Sequence, residues 1–112
     1  MNDLYSEMQV KTQQLNYSIK ELRKTGTAYA TAEKEYKIKL HTEVLKLRDE
    51  GVAVGVIDKI CYGLPSVAEA RFQRDVAEIT YRANLEAINS LKLQIRIIEN
   101  QISREWGTPM SD

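Results

Sequence analysis

Residues 72–102 read FQRDVAEITYRANLEAINSLKLQIRIIENQI, a run without glycine or proline that is rich in helix-forming residues. Apolar residues recur in it mostly at steps of three or four. The stripe that they form comprises Phe72, Val76, Ile79, Ala83, Ile88, Leu91, Ile95, Ile98 and Ile102. Because two helical turns take about seven residues, this spacing gathers the apolar side chains on one face. The stretch therefore predicts a long amphipathic helix.

A second apolar stripe with similar spacing lies in the first half of the chain. It comprises Met8, Leu15, Ile19, Leu22, Tyr29, Tyr36, Leu40, Val44 and Leu47. We predict a first helix over residues 3–50 that Gly51 ends in a left-handed turn, a short connecting helix over 53–62 and a second long helix over 66–105. Ser66 and Glu69 form a capping-box pattern at the start of the last helix. Residues 1–106 would make one domain, and residues 107–112 a frayed tail.

Two long amphipathic helices joined by a short break predict an all-α fold, a long antiparallel helical hairpin with a short helical segment at its turn. Apolar residues of that segment, Val56, Ile57, Ile60 and Cys61, would plug the end of the hairpin. Symmetric pairing around residue 57 places Leu40 near Val76, Tyr29 near Ile88, Ile19 near Ile95 and Met8 near Trp106. Gly26 lies on the first stripe, where it predicts a kink or a close crossing with another helix.

The apolar surface is wider than one hairpin seam needs. Residues beyond the two stripes are Ile38, Leu45, Leu85, Leu93 and Ile97. We therefore expect a homo-oligomer, with a dimer favoured, that forms a four-helix bundle or a coiled coil. The residues predicted for the core or the oligomer interface are Leu22, Tyr29, Leu40, Val76, Ile88, Leu91, Ile95 and Ile98.

Composition limits the class of protein. The formal net charge is zero, so no global field draws the chain to nucleic acid or to an anionic membrane. No stretch approaches the roughly 20 apolar residues of a membrane span, and the N-terminus lacks the basic and apolar regions of a signal peptide. The single cysteine excludes an intramolecular disulfide. We expect a cytoplasmic protein without membrane contact.

Groups that could carry catalysis are scarce. His41 and Cys61 are far apart in sequence, and no third nitrogen or sulfur ligand completes a metal site. Cys61 has apolar neighbours in sequence, which favours a buried thiol over a nucleophile. The stretch from Gly51 to Gly55 lacks the lysine and hydroxyl of a phosphate-binding loop. The sequence therefore predicts no metal, no cofactor and no enzymatic activity.

Nucleic-acid binding is the alternative. Residues 45–60 followed by a new helix resemble a helix-turn-helix unit, whose third helix would present Arg71 and Arg74 to a groove. A second, non-specific basic face on the later part of that helix would use Lys92 and Arg96. Arg82 completes the residues predicted for DNA binding. Acidic residues beside these arginines, and the length of the helix, favour protein binding instead.

Two regions carry a family resemblance: AEKEYKIKL (32–40) with LKLRDEG (45–51), and FQRDVAE (72–78) with AINSLKLQIRIIE (87–99) and Arg104-Glu-Trp106. Together they resemble small helical proteins encoded by temperate phages and prophages of Gram-positive bacteria. Those proteins are usually encoded in the early region that holds replication and recombination functions. The resemblance implies the host cytoplasm and no transferable catalytic motif. It also implies a partner protein from phage or host, and leaves open whether the chain assists phage replication or inhibits a host factor.

Overall fold

The computed structural model describes the backbone of residues 2–111 and the side chains of residues 3–106. This range contains three helices, α1 (Asn2–Asp49), α2 (Val54–Cys61) and α3 (Pro65–Ser111), and no strand among the described residues. The predicted all-α helical hairpin is confirmed.

The helix ends follow from local chemistry. Gly51 has a positive φ of 83°, its N–H donates to the Arg48 carbonyl (3.0 Å), and the Val52 N–H donates to the Leu47 carbonyl (3.1 Å). This pair of hydrogen bonds is a Schellman motif, which confirms the predicted stop of α1. α3 begins at Pro65, because proline needs no N–H partner in the first turn. The predicted capping box is therefore wrong, since Ser66 already lies inside the helix.

Predicted and observed bounds agree within one residue except at the end of α3. That helix extends to Ser111 instead of ending at residue 105. A helix can continue through a glycine such as Gly107 at a cost of about 1 kcal/mol, so the glycine alone does not end it. The side chains of residues 107–112, where the sequence predicts a frayed tail, lie outside the described residues.

The chain forms two compact units. The first, Thr25–Tyr81, is called the central unit here. The second consists of the residues before Thr25 packed with those after Tyr81, and it is called the terminal unit. The single domain predicted for residues 1–106 stays a prediction.

Each helix supplies one residue to the buried centre of the central unit: Tyr36 from α1, Cys61 from α2 and Val67 from α3. Around them pack Leu40, Val44, Leu47, Leu64 and Ala70. Ile57 of α2 is also buried, whereas its neighbours Val56 and Ile60 are exposed. The prediction that α2 plugs this end is thus correct for Ile57 and Cys61 and wrong for the other two, because one face of an eight-residue helix points to solvent.

Tyr29 shows how α1 pairs with α3 in the central unit, because its ring centre lies 5.8 Å from that of Tyr81. The sequence places Ile88 opposite Tyr29, but the observed partner, Tyr81, lies seven residues earlier in the chain. The predicted register is therefore wrong by about two helical turns. The cause is α2, which packs on α1: the Cys61 thiol lies 3.8 Å from the Leu40 carbonyl oxygen. α3 therefore begins beside an earlier part of α1.

The rotation of α3 in the central unit also differs from the prediction. Val67 is fully buried, and Arg74 and Tyr81, seven and fourteen residues later, face α1. The residues that the sequence places in the core here are exposed instead: Phe72 by 58%, Val76 by 43% and Ile79 by 68%. The buried anchor at Val67 decides which face of α3 meets α1, so Val76 is not a core residue of the hairpin.

In the terminal unit, Ile88 and Ile98 are buried, and Leu22, Leu91 and Ile95 are half-buried. The Asn84 side-chain amide donates to the Ser18 carbonyl at 3.0 Å. Asn84 lies eleven residues before Ile95, which the sequence places beside Ile19. That pairing is therefore wrong, and so is the Met8–Trp106 pairing that assumes the same register. Ile19 is itself exposed.

Candidate interaction surfaces

An exposed apolar row lies on α3 in the central unit. Phe72, Val76 and Ile79 follow one another at steps of four and three, so they share one helix face. We call these three residues the outer row. The face that carries them is turned away from α1, which is contacted by Arg74 and Tyr81. Side chains of this size gain free energy when they are removed from water, so the outer row is a candidate binding surface.

Other apolar residues are exposed as the sequence predicts. Ile38 and Leu45 lie seven residues apart on α1, in the central unit. Leu93 and Ile97 lie four apart on α3, in the terminal unit. Leu85, which the sequence also places outside the stripe, is half-buried. Each exposed pair is smaller than the outer row.

A fourth exposed group is on and beside α2. Val54, Val56, Ile60 and Tyr62 are exposed, while Ile57 on the opposite face is buried. These four residues form an exposed apolar patch at the end of the central unit where α2 lies.

Arg74 is not available to a nucleic-acid groove, because its side chain is only 23% exposed. Its guanidinium carbon lies 4.5 Å from the centre of the Tyr36 ring. It donates two hydrogen bonds to Asp75 (3.0 and 2.8 Å), and its Nε lies 4.0 Å from a Glu33 oxygen. The hydrogen bond to Asp75 raises the pKa of Arg74, so the group stays charged while half-buried. Periodicity missed this residue, although its spacing of seven from Val67 and from Tyr81 is a usable signal.

The other residues predicted for nucleic-acid binding are divided between the units. Arg71 is half-buried, and its Nη1 donates to the Tyr62 carbonyl at 3.4 Å. Arg82, Lys92 and Arg96 are exposed in the terminal unit. The accessible candidates among these residues are therefore Arg82 and the later basic face of α3, at Lys92 and Arg96 one helical turn apart.

Cys61 is a buried structural thiol. Burial, followed by the negative charges of Glu43 and Asp58, raises its pKa. It is fully buried, so it is both protonated and inaccessible to a substrate. His41 is exposed. Within the part of the chain that the structure describes, no three histidine, cysteine or acidic side chains gather into a potential metal site.

Depressions on the surface do not resemble substrate clefts. One is lined by Glu35, Ile38, Lys39 and Thr42, all from α1. Another is lined by Ile97, Asn100, Ser103 and Arg104, all from α3. A third is lined by Leu4 of α1 and by Gln101, Arg104 and Glu105 of α3, and it is open to solvent. Residues of a single helix face cannot surround a small molecule, and neither can an open depression, whereas enzyme pockets bury most of the substrate surface.

Over the described residues, no helix is both long and apolar enough to span a membrane. Comparison with protein-family models, curated proteins and solved structures finds no significant match to this chain.

Proposed function

We propose that this protein is a non-enzymatic helical module that binds other protein chains through exposed helix faces, with the outer row as its principal contact. The observation that carries the proposal is the exposure of Phe72, Val76 and Ile79 together on one face of a continuous helix. Complete burial of such a side chain is worth about 1.5–3 kcal/mol. Three adjacent ones therefore supply a substantial free energy to any partner that covers them.

The spacing of the outer row favours a helical partner. Residues at i, i+4 and i+7 are the anchors by which an amphipathic helix packs into a groove or against another helix. Charged residues border the row, among them Glu69 before it and Asp75 within its length. A rim of charges around an apolar centre is typical of a specific protein interface.

Two features support a role without catalysis. The thiol of Cys61 is buried with a raised pKa, which removes the most nucleophilic side chain from solvent. Two of the surface depressions are each lined by one helix face, and a third, between Leu4 of α1 and Gln101 of α3, is open to solvent, so these three offer no site that surrounds a reacting group.

The resemblance to phage and prophage proteins supplies the biological setting of the proposal. In it the chain works in the host cytoplasm as an accessory to phage DNA replication or recombination. Its partners are a second copy of itself and a phage or host protein. Arg71 and Arg74 are engaged within the central unit, which makes protein binding a better account of this region than binding to duplex DNA.

Site-specific photo-crosslinking tests the proposal. A benzophenone amino acid is placed at Phe72 in the outer row, or at the exposed Glu99 of α3 as a control, and the protein is irradiated in the producing cells. We expect discrete protein adducts at position 72 that are absent at position 99 and disappear when Ile79→Asp is added. Circular dichroism should show that Ile79→Asp keeps the wild-type melting temperature, because Ile79 is 68% exposed. Equal adducts at both positions, or none at position 72, would contradict the proposal.

A further inference from the structure

Extended by one further residue, the outer row has a spacing that reads the same in both directions along α3. Adding Ala83, which is exposed in the next turn, gives residues 72, 76, 79 and 83 at steps of four, three and four. Reversing the helix leaves this order of steps unchanged. Two copies of α3 that run in opposite directions can therefore place Val76 against Ile79 of the second copy, and Phe72 against Ala83 of the second copy. Large side chains then face large and small ones alternately, as close packing of helices requires.

The charges beside the row have the same symmetry. Asp75 precedes Val76 and Arg82 precedes Ala83, so both flank the row on one side, seven residues apart. The Asp75 side chain is 51% exposed, and Arg82 is exposed. In the antiparallel arrangement Asp75 of one copy lies beside Arg82 of the other, and the two-fold axis generates this ion pair twice. Both groups already interact within their own chain, Asp75 with Arg74. These interactions do not prevent the pair, because a carboxylate accepts several donors and a guanidinium carries five N–H donors.

Other arrangements lose either this charge complementarity or the apolar centre of the contact. Sliding one copy by a heptad places Asp75 beside the Asp75 of the second copy, or Arg82 beside its Arg82, and like charges repel. A parallel pair of helices places Asp75 beside Thr80, which forms no ion pair. A longer slide that uses Leu93 and Ile97 places Ile79 against Ser90, which sets a polar group against the apolar centre of the contact.

We propose that the outer row binds the outer row of a second copy of this chain, antiparallel, with Val76 of each copy against Ile79 of the other. This inference rests on the proposed function, whose binding surface it assigns to a specific occupant. The contact holds six large apolar side chains, three from each copy. It is smaller than a standard protein interface, so we expect a dimer that dissociates in the micromolar range.

Mixed disulfides test the direction and register of the pairing. Cysteine pairs form a disulfide only when their Cα atoms approach to about 4.4–6.8 Å. Val76→Cys protein is mixed with a size-tagged Ile79→Cys protein and oxidised mildly at 50–100 µM, a range of about ten times the expected dissociation constant. We expect the mixed dimer as the main product. Wild-type protein is the blank, because the thiol of Cys61 is fully buried.

One further product and one further mixture make the result decisive. Excess Val76→Cys homodimer in the oxidised sample would indicate parallel pairing and overturn the proposal. A higher yield from Val76→Cys mixed with Leu93→Cys would indicate the longer slide and overturn the proposed register. The absence of any disulfide-linked dimer would also overturn it.

Sedimentation equilibrium separates failure of this inference from failure of the proposed function. We expect Ile79→Asp to weaken the dimer at least about a hundredfold, because each dimer then places two unpaired charges in the contact. Ile97→Asp, which changes an exposed isoleucine of the same helix outside the row, should leave it unchanged. A wild-type chain that is monomeric throughout overturns the inference. The proposed function then stands only if the crosslinks at position 72 join the chain to a different protein.

Discussion

The guanidinium carbon of Arg74 on α3 lies 4.5 Å from the centre of the Tyr36 ring on α1, which places an arginine at the contact between two helices of the central unit. Glu33 and Asp75 balance its charge at 4.0 and 2.8 Å. A planar cation over an aromatic face is attracted by the ring quadrupole. This position, which a simple amphipathic pattern assigns to an apolar residue, is therefore occupied by an arginine whose charge is satisfied.

Replacing Arg74 by alanine should destabilise the central unit by about 1–2 kcal/mol, because it removes the contact with Tyr36 and the packing of a long side chain. Urea denaturation followed by circular dichroism measures the change. Arg96→Ala, at an exposed position, is the matched control and should change stability by less than about 0.5 kcal/mol. Equal effects of the two substitutions would mean that the Arg74–Tyr36 contact is not stabilising.

Gly26 confirms the predicted close crossing of helices. A Cβ atom on Gly26 would lie 3.2 Å from the Tyr81 ring, which is tighter than ordinary van der Waals contact. Gly26→Ala in the wild type should therefore gain less than the roughly 1 kcal/mol that alanine adds to a helix. With Tyr81→Ala present, the same substitution should give the full gain. A double-mutant cycle in urea measures the difference, and a coupling of zero would refute the close contact.

Ile97 and Ile98 are adjacent in the chain but differ in burial, at 49% and 4% exposed. We expect Ile98→Ala to cost about 2–4 kcal/mol because it leaves a cavity in the terminal unit. Ile97→Ala should cost under about 1 kcal/mol. Both values come from urea denaturation of the purified variants. A larger loss at Ile97 would show that the face of α3 assigned to the core is wrong.

Cys61 gives a prediction about pH. Its pKa is raised in the folded chain by burial, so the folded state holds the thiol proton more tightly than the unfolded state does. Stability should therefore fall as the pH rises above about 9, and the Cys61→Ala variant should lack this part of the decline. Iodoacetamide should modify the native thiol at least about a hundredfold more slowly than the thiol in urea. Equal rates would show that Cys61 is accessible.

Binding to DNA is tested by the anisotropy of labelled single-stranded and duplex DNA at two salt concentrations. We expect no binding at micromolar protein in about 0.15 M salt, where phosphate contacts are strongly weakened. Binding that collapses with salt and is lost in the Lys92→Glu/Arg96→Glu variant would favour the DNA-binding alternative. Arg74→Gln is the control, because the structure already holds Arg74 within the central unit.

Local chemistry let the sequence predict the helices and most of their ends. The positive φ of Gly51 and the Schellman hydrogen bonds depend only on residues 47–52. The close crossing at Gly26 was also among the predictions, since a glycine on an apolar stripe indicates that another element approaches. Exposure of Ile38 and Leu45 follows from their position off the stripe.

Periodicity failed where α3 carries apolar residues on two faces. In the central unit the row Phe72, Val76 and Ile79 is more apolar than the face that includes Arg74, so the pattern assigns the wrong face to the core. No sequence pattern shows that Tyr36, Glu33 and Asp75 together make an inward arginine acceptable. As a result, the apolar pattern assigned the residues of the candidate binding surface to the core.

The sequence by itself determined that this chain is helical and where most of its helix ends lie, because turn glycines and apolar spacing act within a few residues. Only the tertiary structure decided the register and the rotation of α3. Both depend on α2, which packs Cys61 against α1 beside Leu40 and thereby fixes where Val67 is buried. Contacts between residues far apart in the chain set these two quantities, and they decide that the outer row faces solvent.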